Sequence, residues 1–259
     1  MDKNRLTAVG IPPDPWITLR AFTNARIALG RTGTAIPLQH VLDFRMAHAN
    51  ARDAVHSALN VKELVKQFSA LQLPVCSVSS RADNRKKYLL RPDTGKQLNE
   101  ASRQKLLSLK SIASDVCFIV ADGLSASAIH QHAFPVLKRL VSFTVSNGLS
   151  IAPLCIVEQA RVAICDEVGS LLHAKIAIIL IGERPGLSAS DSMSAYITFN
   201  PKPGLTDEAR NCVSNIRPNG MDYELSAEKI FYLLKESLQL QLSGVLLKDN
   251  LVTLNAIST

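Results

Sequence analysis

Apolar runs separated by amphipathic segments dominate the second half of the chain. Residues 116–121, 151–157, 176–181 and 196–199 are apolar enough for strands, and the run at 176–181 carries no polar side chain. Between and after these runs, Ser125 and Ser226 are expected to cap longer helices ending near residues 147 and 244, with a short helix at 166–172. Pro135 is expected to kink or interrupt the first of the longer helices. Strands alternating with helices predict an α/β fold with a Rossmann-like, largely parallel sheet.

The first hundred residues have a different pattern. Prolines at 12, 13 and 15 favour an extended arm, which Trp16 would anchor, and apolar positions at helical spacing predict an amphipathic helix over 38–59. Asp93, after Pro92, is expected to cap a second helix extending to Leu109. The sequence therefore predicts an arm at 1–19, a smaller, mostly helical, basic region at 20–112 and an α/β domain at 113–259.

Charge is unevenly distributed between the two halves. Residues 1–115 hold 18 Lys and Arg against 9 Asp and Glu, whereas residues 116–259 hold 11 against 13. A basic half favours an anionic or acidic partner, although a solvated basic face is the plainer alternative. No run reaches the ~18 apolar residues of a membrane span and no apolar signal region follows Met1, so we expect a cytoplasmic protein without membrane contact.

Three predicted strand ends fall on one edge of such a sheet, where ligands of α/β proteins bind. They are residues 122–125, 158–162 and 182–186, and they offer Val162 as an apolar contact and Glu183 as a carboxylate acceptor. The plainer alternatives are a core position for Val162, a surface ion pair of Glu183 with Arg184 and a tight turn at Asp122 and Gly123.

Cys212 lies in a further candidate segment, the polar stretch 211–220, which is expected to be a shaped loop. A buried structural thiol is the alternative for Cys212, since free cysteine is usually buried. The five cysteines form no C-x-x-C pair and the six histidines no metal-spaced set, so neither a disulfide framework nor a metal site is predicted. Phosphate-loop, dinucleotide and nucleophile-elbow motifs are absent.

A Gly-Arg-Thr-Gly loop at 30–33 raises one rival hypothesis. KH domains clamp a nucleic-acid backbone with a G-x-x-G loop, but they need helices and strands in a set order around it, and the upstream segment here is proline-rich. A stand-alone nucleic-acid or small-ligand binding module therefore stays as the alternative function.

Five ordered blocks carry a family resemblance. They are Ala-Arg-Ile-Ala-Leu-Gly-Arg-Thr-Gly at 25–33, Leu-Arg-Pro-Asp-Thr-Gly at 90–95, Ala-Asp-Gly-Leu-Ser at 121–125, Gly-Glu-Arg-Pro-Gly-Leu at 182–187 and Cys-Val-Ser-Asn-Ile at 212–216. With them the chain resembles the small subunit of ethanolamine ammonia-lyase from about residue 19 to residue 247. The resemblance also explains the Gly-Arg-Thr-Gly loop, which weakens the KH hypothesis.

The resemblance implies a shared site. In this family a large subunit with a TIM barrel hosts the radical conversion of ethanolamine to acetaldehyde and ammonia, and the small subunit covers adenosylcobalamin. Its cobalamin contacts correspond to Val162, Glu183 and Cys212, with no catalytic residue on this chain, and the basic half becomes a large-subunit contact. The chain has no D-x-H-x-x-G signature, so the cofactor is expected to keep its own base on cobalt. Packaging in a bacterial microcompartment is left open.

Overall fold

A six-stranded sheet forms the centre of the molecule in the computed structural model, which describes residues 14–109 and 113–250. The strands are β1 (Val75–Ser79), β2 (Ser114–Ala121), β3 (Leu154–Glu158), β4 (Ala174–Gly182), β5 (Met193–Phe199) and β6 (Arg210–Ile216). Their order across the sheet is β1-β3-β2-β4-β5-β6. The described residues also form seven α-helices, namely α1 (Leu38–His56), α2 (Val61–Phe68), α3 (Arg85–Leu90), α4 (Glu100–Ser108), α5 (Ala126–Ser146), α6 (Ile164–Leu171) and α7 (Tyr223–Leu240).

The predicted α/β class is confirmed, but the expectation of a Rossmann-like, largely parallel sheet is wrong, because the sheet is mixed. Strands β1 to β4 run parallel, whereas β5 pairs antiparallel with β4 and β6 antiparallel with β5. A parallel connection needs a crossover, usually a helix, but loops without an α-helix join β4 to β5 and β5 to β6. Short connections of this kind favour antiparallel return strands.

Both faces of the sheet are covered. Alternate residues of β4 contribute to two apolar cores: Ile176, Ile178 and Leu180 join the core that contains residues of α2, α5 and α7, and Ala177, Ile179 and Ile181 join the core that contains residues of α4 and α6. A strand buried on both sides needs apolar side chains at every position, which explains the unbroken run at 176–181.

Several element predictions need correction. Residues 211–220, expected to be a loop, contribute most of the edge strand β6, and β1 lies inside the region expected to be mostly helical. The helix expected from Asp93 divides into a 3-10 helix (Pro92–Lys96) and α4, which Asn99 caps by accepting from the Ser102 amide. Helix α7 begins earlier than expected because Asp222, not Ser226, is its cap.

The remaining predictions have mixed outcomes. Ser125 caps α5 as expected, but the expected interruption at Pro135 is wrong, because α5 continues through this residue. Of the predicted extended arm, residues 1–13 lie outside the described residues. The described part is not extended throughout, since a 3-10 helix (Ile17–Phe22) begins in it, and Trp16 is 66% exposed rather than anchored. No helix in the described ranges is both long and apolar enough to cross a membrane.

Candidate functional site

The carboxyl ends of β2, β3 and β4 lie side by side, which confirms that the three predicted strand ends share one edge of the sheet. Two of them meet through glycines. A side chain at Gly182 would have its Cβ 2.1 Å from the Ser125 carbonyl oxygen, and one at Gly123, where φ is +53°, would lie 2.2 Å from the Gly182 oxygen. The Ala-Asp-Gly-Leu-Ser and Gly-Glu-Arg-Pro-Gly blocks therefore need glycine where they touch.

Asp122 joins the first two strand ends. Its buried carboxylate accepts from the amides of Gln159 and Ala160, both at 3.0 Å, and Arg85 Nη1 lies 3.3 Å from Oδ2. Burial raises the pKa of Asp122 to about 6, against the lowering effect of these amides and of Arg85. The prediction of a tight turn is correct, and the same aspartate also fixes the loop that leads to Val162.

Tyr88, fully buried, lies beneath this loop. Its hydroxyl donates to the Ala160 carbonyl oxygen at 2.9 Å, and its ring contacts two guanidinium groups, Arg85 at 4.8 Å and Arg161 at 4.3 Å from the ring centroid. The Arg161 amide also donates to the Gly95 oxygen at 2.8 Å, which connects the Leu-Arg-Pro-Asp-Thr-Gly block to the same place. Arg161 is consequently held in position on an aromatic surface.

Glu183 lies at the end of β4, where its side chain is partly exposed. Its Oε1 atom accepts from the Ser194 hydroxyl and from the Asn215 amide, the latter at 2.9 Å. Within the part of the chain that the structure describes, Oε2 accepts no hydrogen bond. Glu183 forms no ion pair with Arg184 there, so that alternative is wrong, and one oxygen stays available to a ligand donor.

Val162 and Cys212 approach the same place from β3 and β6. Val162 is half-buried and shares with Tyr196 and Glu183 the wall of a cleft of about 180 Å³. Cys212 pairs with Tyr196 across β5 and β6 and is exposed, unlike the other four cysteines, so the prediction of a buried structural thiol is wrong. Partial desolvation is the main cause that raises the pKa of the Cys212 thiol, and the charge of Glu183 adds to it.

Tyr196 is the central residue that the sequence did not reveal. It lines the cleft beside Val162 and faces Cys212, and desolvation followed by the Cys212 charge raises its pKa. Tyr88 was missed in the same way. The available signal was their proximity in sequence to recognised segments: Tyr196 lies in a predicted strand, and Tyr88 comes two residues before the block at 90–95.

The residues at this edge can offer a ligand both apolar and hydrogen-bonding contacts. A carboxylate with one free oxygen and an apolar side chain line a shallow cleft, and the Cys212 thiol lies beside the cleft residue Tyr196. No cluster of His, Cys, Asp or Glu within residues 14–109 and 113–250 could hold a metal ion. The rival G-x-x-G loop lies in an exposed turn closed by a bridge between Thr32 and Ala35, with α1 rather than a strand after it. It does not have the KH arrangement.

Comparison with known proteins connects this geometry to a family. Residues 13–248 match the family model described as ethanolamine ammonia-lyase light chain (EutC). The chain is 49% identical to the ethanolamine ammonia-lyase small subunit of Pseudomonas fluorescens (strain SBW25) over 92% of this chain and 87% of that protein. It is 47% identical to the protein of the same name from Pseudomonas syringae pv. tomato, over 92% of this chain and 84% of the relative. The chain therefore belongs to the ethanolamine ammonia-lyase light-chain family.

Proposed function

We propose that the chain is the small subunit of an adenosylcobalamin-dependent ethanolamine ammonia-lyase, which converts ethanolamine to acetaldehyde and ammonia only when joined to its large subunit. The observation that carries this proposal is the coincidence of a family match over residues 13–248 with one edge of the sheet, where Val162 and Glu183 line a cleft and Cys212 lies beside the cleft residue Tyr196. The family relatives carry this enzyme's name, and no observation favours a stand-alone binding module.

The residues at this edge suit a cobalamin. A corrin ring is broad and apolar and carries neutral amide arms, so it needs apolar contacts and hydrogen-bond acceptors. Val162 would supply an apolar contact, the free Oε2 of Glu183 would accept from an amide arm, and the exposed Cys212 thiol would lie against the ring or its arms. Retention of the cofactor's own base on cobalt is part of the proposal, because the chain has no D-x-H-x-x-G sequence.

The chemistry is divided between cofactor and protein. When bound, adenosylcobalamin supplies the carbon-centred radical that starts the reaction. This chain supplies no catalytic residue in our proposal. Its hydrogen-bonded loops around Asp122 and Glu183 form a fixed wall, which would orient the cofactor and exclude water from the reacting side.

The partner surface is proposed to include α1. Leu38, Leu42 and Met46 recur every four residues on this helix and are 70%, 53% and 64% exposed. Such an apolar stripe marks an interaction site. Residues of α1 also line a cavity with the loops at 186–191 and 217–219, so the stripe adjoins the proposed cofactor edge. We propose that the large-subunit barrel covers both surfaces.

The division of the chain follows from this arrangement. We retain the arm at 1–19, the basic helical region at 20–112 and the cobalamin-binding α/β domain at 113–259 as proposals. One refinement is needed, because β1 belongs to the sheet of the last part. The basic region would then serve mainly in contact with the large subunit.

The test is ammonia release from ethanolamine with adenosylcobalamin. The chain is co-expressed with the large subunit from the same genome, and each subunit is also assayed alone. Activity only in the mixture supports the proposal, whereas a folded complex without activity contradicts it.

A matched pair of variants tests the cofactor wall. Glu183→Gln keeps an acceptor for Ser194 and Asn215 but removes the charge, so it should weaken cobalamin binding by the complex about tenfold without changing assembly. The exposed Glu228→Gln on α7 is the control. Equal affinities in the two variants would show that Glu183 does not contact the cofactor.

A further inference from the structure

A second cleft adjoins the proposed cofactor edge. It has a volume of about 670 Å³, and it shares Arg161, Val162 and Tyr196 with the smaller cleft beside Glu183. Clefts of this size hold ligands of ordinary cofactor size. A ligand that contacts Val162 and Tyr196 could therefore extend into this second space without leaving the protein surface.

Three cations in this cleft form no ion pair within the described residues, although Asp93 lies near enough to Lys96 to interact with its charge. Arg81, Lys96 and Arg161 line it, and within residues 14–109 and 113–250 their side chains form no hydrogen bond or ion pair. The cleft also contains three carboxylates, which share two arginines: Glu167 pairs with Arg103, and both Asp166 and Asp207 pair with Arg210. These pairs leave one negative charge against the three cations. The uncompensated charge of the cleft is therefore positive.

These cations are positioned by the fold. Arg161 lies on the buried Tyr88 ring, and its Nε atom is buried without a hydrogen-bond partner. Arg85, which contacts the same ring, is paired with Asp122, so Arg161 is the arginine of the two that has no carboxylate partner. Arg81 and Lys96 are exposed and come from adjacent segments, since the Arg81 amide donates to the Gln97 oxygen at 2.9 Å.

We propose that Arg81, Lys96 and Arg161 bind the phosphodiester of the cobalamin nucleotide arm. This inference rests on the proposed function and assigns a part of the cofactor to residues outside the set Val162, Glu183 and Cys212. The phosphodiester is the group of cobalamin that carries a negative charge, and a planar guanidinium fixed on an aromatic ring is a strong phosphate donor. A cofactor that keeps its own base also keeps this arm close to the corrin.

The test compares two corrinoids. Adenosylcobalamin carries the nucleotide arm, and adenosylcobinamide lacks both the nucleotide and its phosphate. Each is bound to the complex of the two subunits, and the dissociation constant is measured by equilibrium dialysis with the corrin absorbance as the signal. Three forms of the small subunit are used: the wild type, Arg161→Met, which keeps an apolar stem against Tyr88, and the double variant Arg81→Gln/Lys96→Gln, which changes only exposed side chains.

The expected result is a selective loss. Both variants should bind adenosylcobalamin about ten- to a hundredfold more weakly than the wild type and adenosylcobinamide equally well. The control Lys62→Gln/Lys86→Gln removes the same charge from exposed positions outside the cleft and should change neither affinity. Raised salt should weaken wild-type binding of adenosylcobalamin more than binding of adenosylcobinamide.

Three other outcomes are informative. An equal loss for both corrinoids, or none for either, overturns the inference while the proposed function stands. Weaker subunit association with unchanged corrinoid selectivity would also overturn it and would assign the three cations to carboxylates of the large subunit. If the wild-type complex binds neither corrinoid, the proposed function itself fails.

Discussion

Helices α1 and α5 are nearly equal in length, with 19 and 21 residues, but they are used in different ways. Ten residues of α5 are buried, against the sheet and α7, whereas Ala54 is the only buried residue of α1. Both sequences have apolar residues at helical spacing. The same sequence pattern therefore serves an internal core in one helix and an open surface in the other.

The difference in burial between the two helices points to α1 as the surface that another protein would cover. Helix α5 obtains its stability from tertiary packing, which is the usual source for helices in proteins. Helix α1 packs little against its own chain. We therefore interpret its exposed stripe of Leu38, Leu42 and Met46 as a contact surface for another protein. This interpretation can be tested by substitutions of equal chemistry in the two helices.

The largest effect is expected from removal of a core side chain in α5. Leu140 is fully buried, so Leu140→Ala should lower the free energy of unfolding of the small subunit by about 2 to 5 kcal/mol. Leu42→Ala in α1 removes the same atoms from a residue that is 53% exposed, so it should change the free energy of unfolding by less than about 0.5 kcal/mol. Urea denaturation of the isolated chain measures both.

The control uses a leucine of equal exposure elsewhere. Leu240, at the end of α7, is 51% exposed, and Leu240→Ala should behave as Leu42→Ala does in the isolated chain. A cost above about 1 kcal/mol for Leu42→Ala alone would mean that α1 packs against its own chain in solution, and the contrast between the helices would fail.

A pH-dependent change of nearly the same size in the free energy of unfolding is expected from Asp122, which lies just before α5. Burial raises the pKa of Asp122 to about 6 from an ordinary value of 3.8, so the folded state binds this proton more tightly than the unfolded state. The associated stability is fully present below about pH 4 and is lost as the pH rises through 6. The difference between these two pKa values corresponds to a change of about 3 kcal/mol in the free energy of unfolding.

Asp122→Asn removes this titration. The stability of the wild type relative to this variant should therefore be greater at pH 4 than at pH 7, as measured by urea denaturation at both values. Asp43→Asn on α1 is the control, because this aspartate is exposed and its substitution should change the free energy of unfolding by less than about 0.5 kcal/mol. A wild-type advantage that grows towards pH 7 would show that Arg85 and the backbone amides outweigh burial at Asp122.

The comparison of α1 with α5 also shows what sequence patterns can and cannot reveal. The central strands β2 and β4 were predictable because burial on both faces demands unbroken apolar runs. Strands β1 and β6, which were missed, are the two edges of the sheet. An edge strand has one neighbour and carries more exposed polar side chains, as in β6, so its sequence resembles a loop.

The candidate site was predictable only in part for a related reason. Glu183 and Val162 follow strands of the parallel part, so their position on one edge follows from topology alone. Tyr88 and Tyr196 reach the same place through contacts between residues far apart in sequence, which no local pattern records. Arg161 lies in a segment that the sequence predicted as part of the site. Only the structure shows that it forms no ion pair, whereas the neighbouring Arg85 does.

A smaller effect is expected when α1 meets its partner. Leu42→Ala and Met46→Ala remove apolar area from the exposed stripe, so each should weaken association with the large subunit by about 1 to 2 kcal/mol while leaving the small subunit as stable as before. Association is measured by titrating labelled small subunit with large subunit. Unchanged association for both variants, as expected for the Leu240→Ala control, would place the interface elsewhere.

The smallest effect concerns a polar contact of α5 that has no equivalent on α1. His132 is 2% exposed, and its Nδ1 lies 2.8 Å from the Tyr223 hydroxyl of α7, while burial lowers the pKa of the histidine and favours its neutral form. Tyr223→Phe removes one neutral hydrogen bond and should cost about 1 kcal/mol of unfolding free energy. Tyr232→Phe, on the same helix, is the matched control, because the Tyr232 hydroxyl forms no hydrogen bond within the described residues. Equal costs for the two variants would show that the His132–Tyr223 contact contributes nothing measurable, and that α5 is held on α7 by its buried apolar side chains together with the ion pair between Arg139 and Glu224.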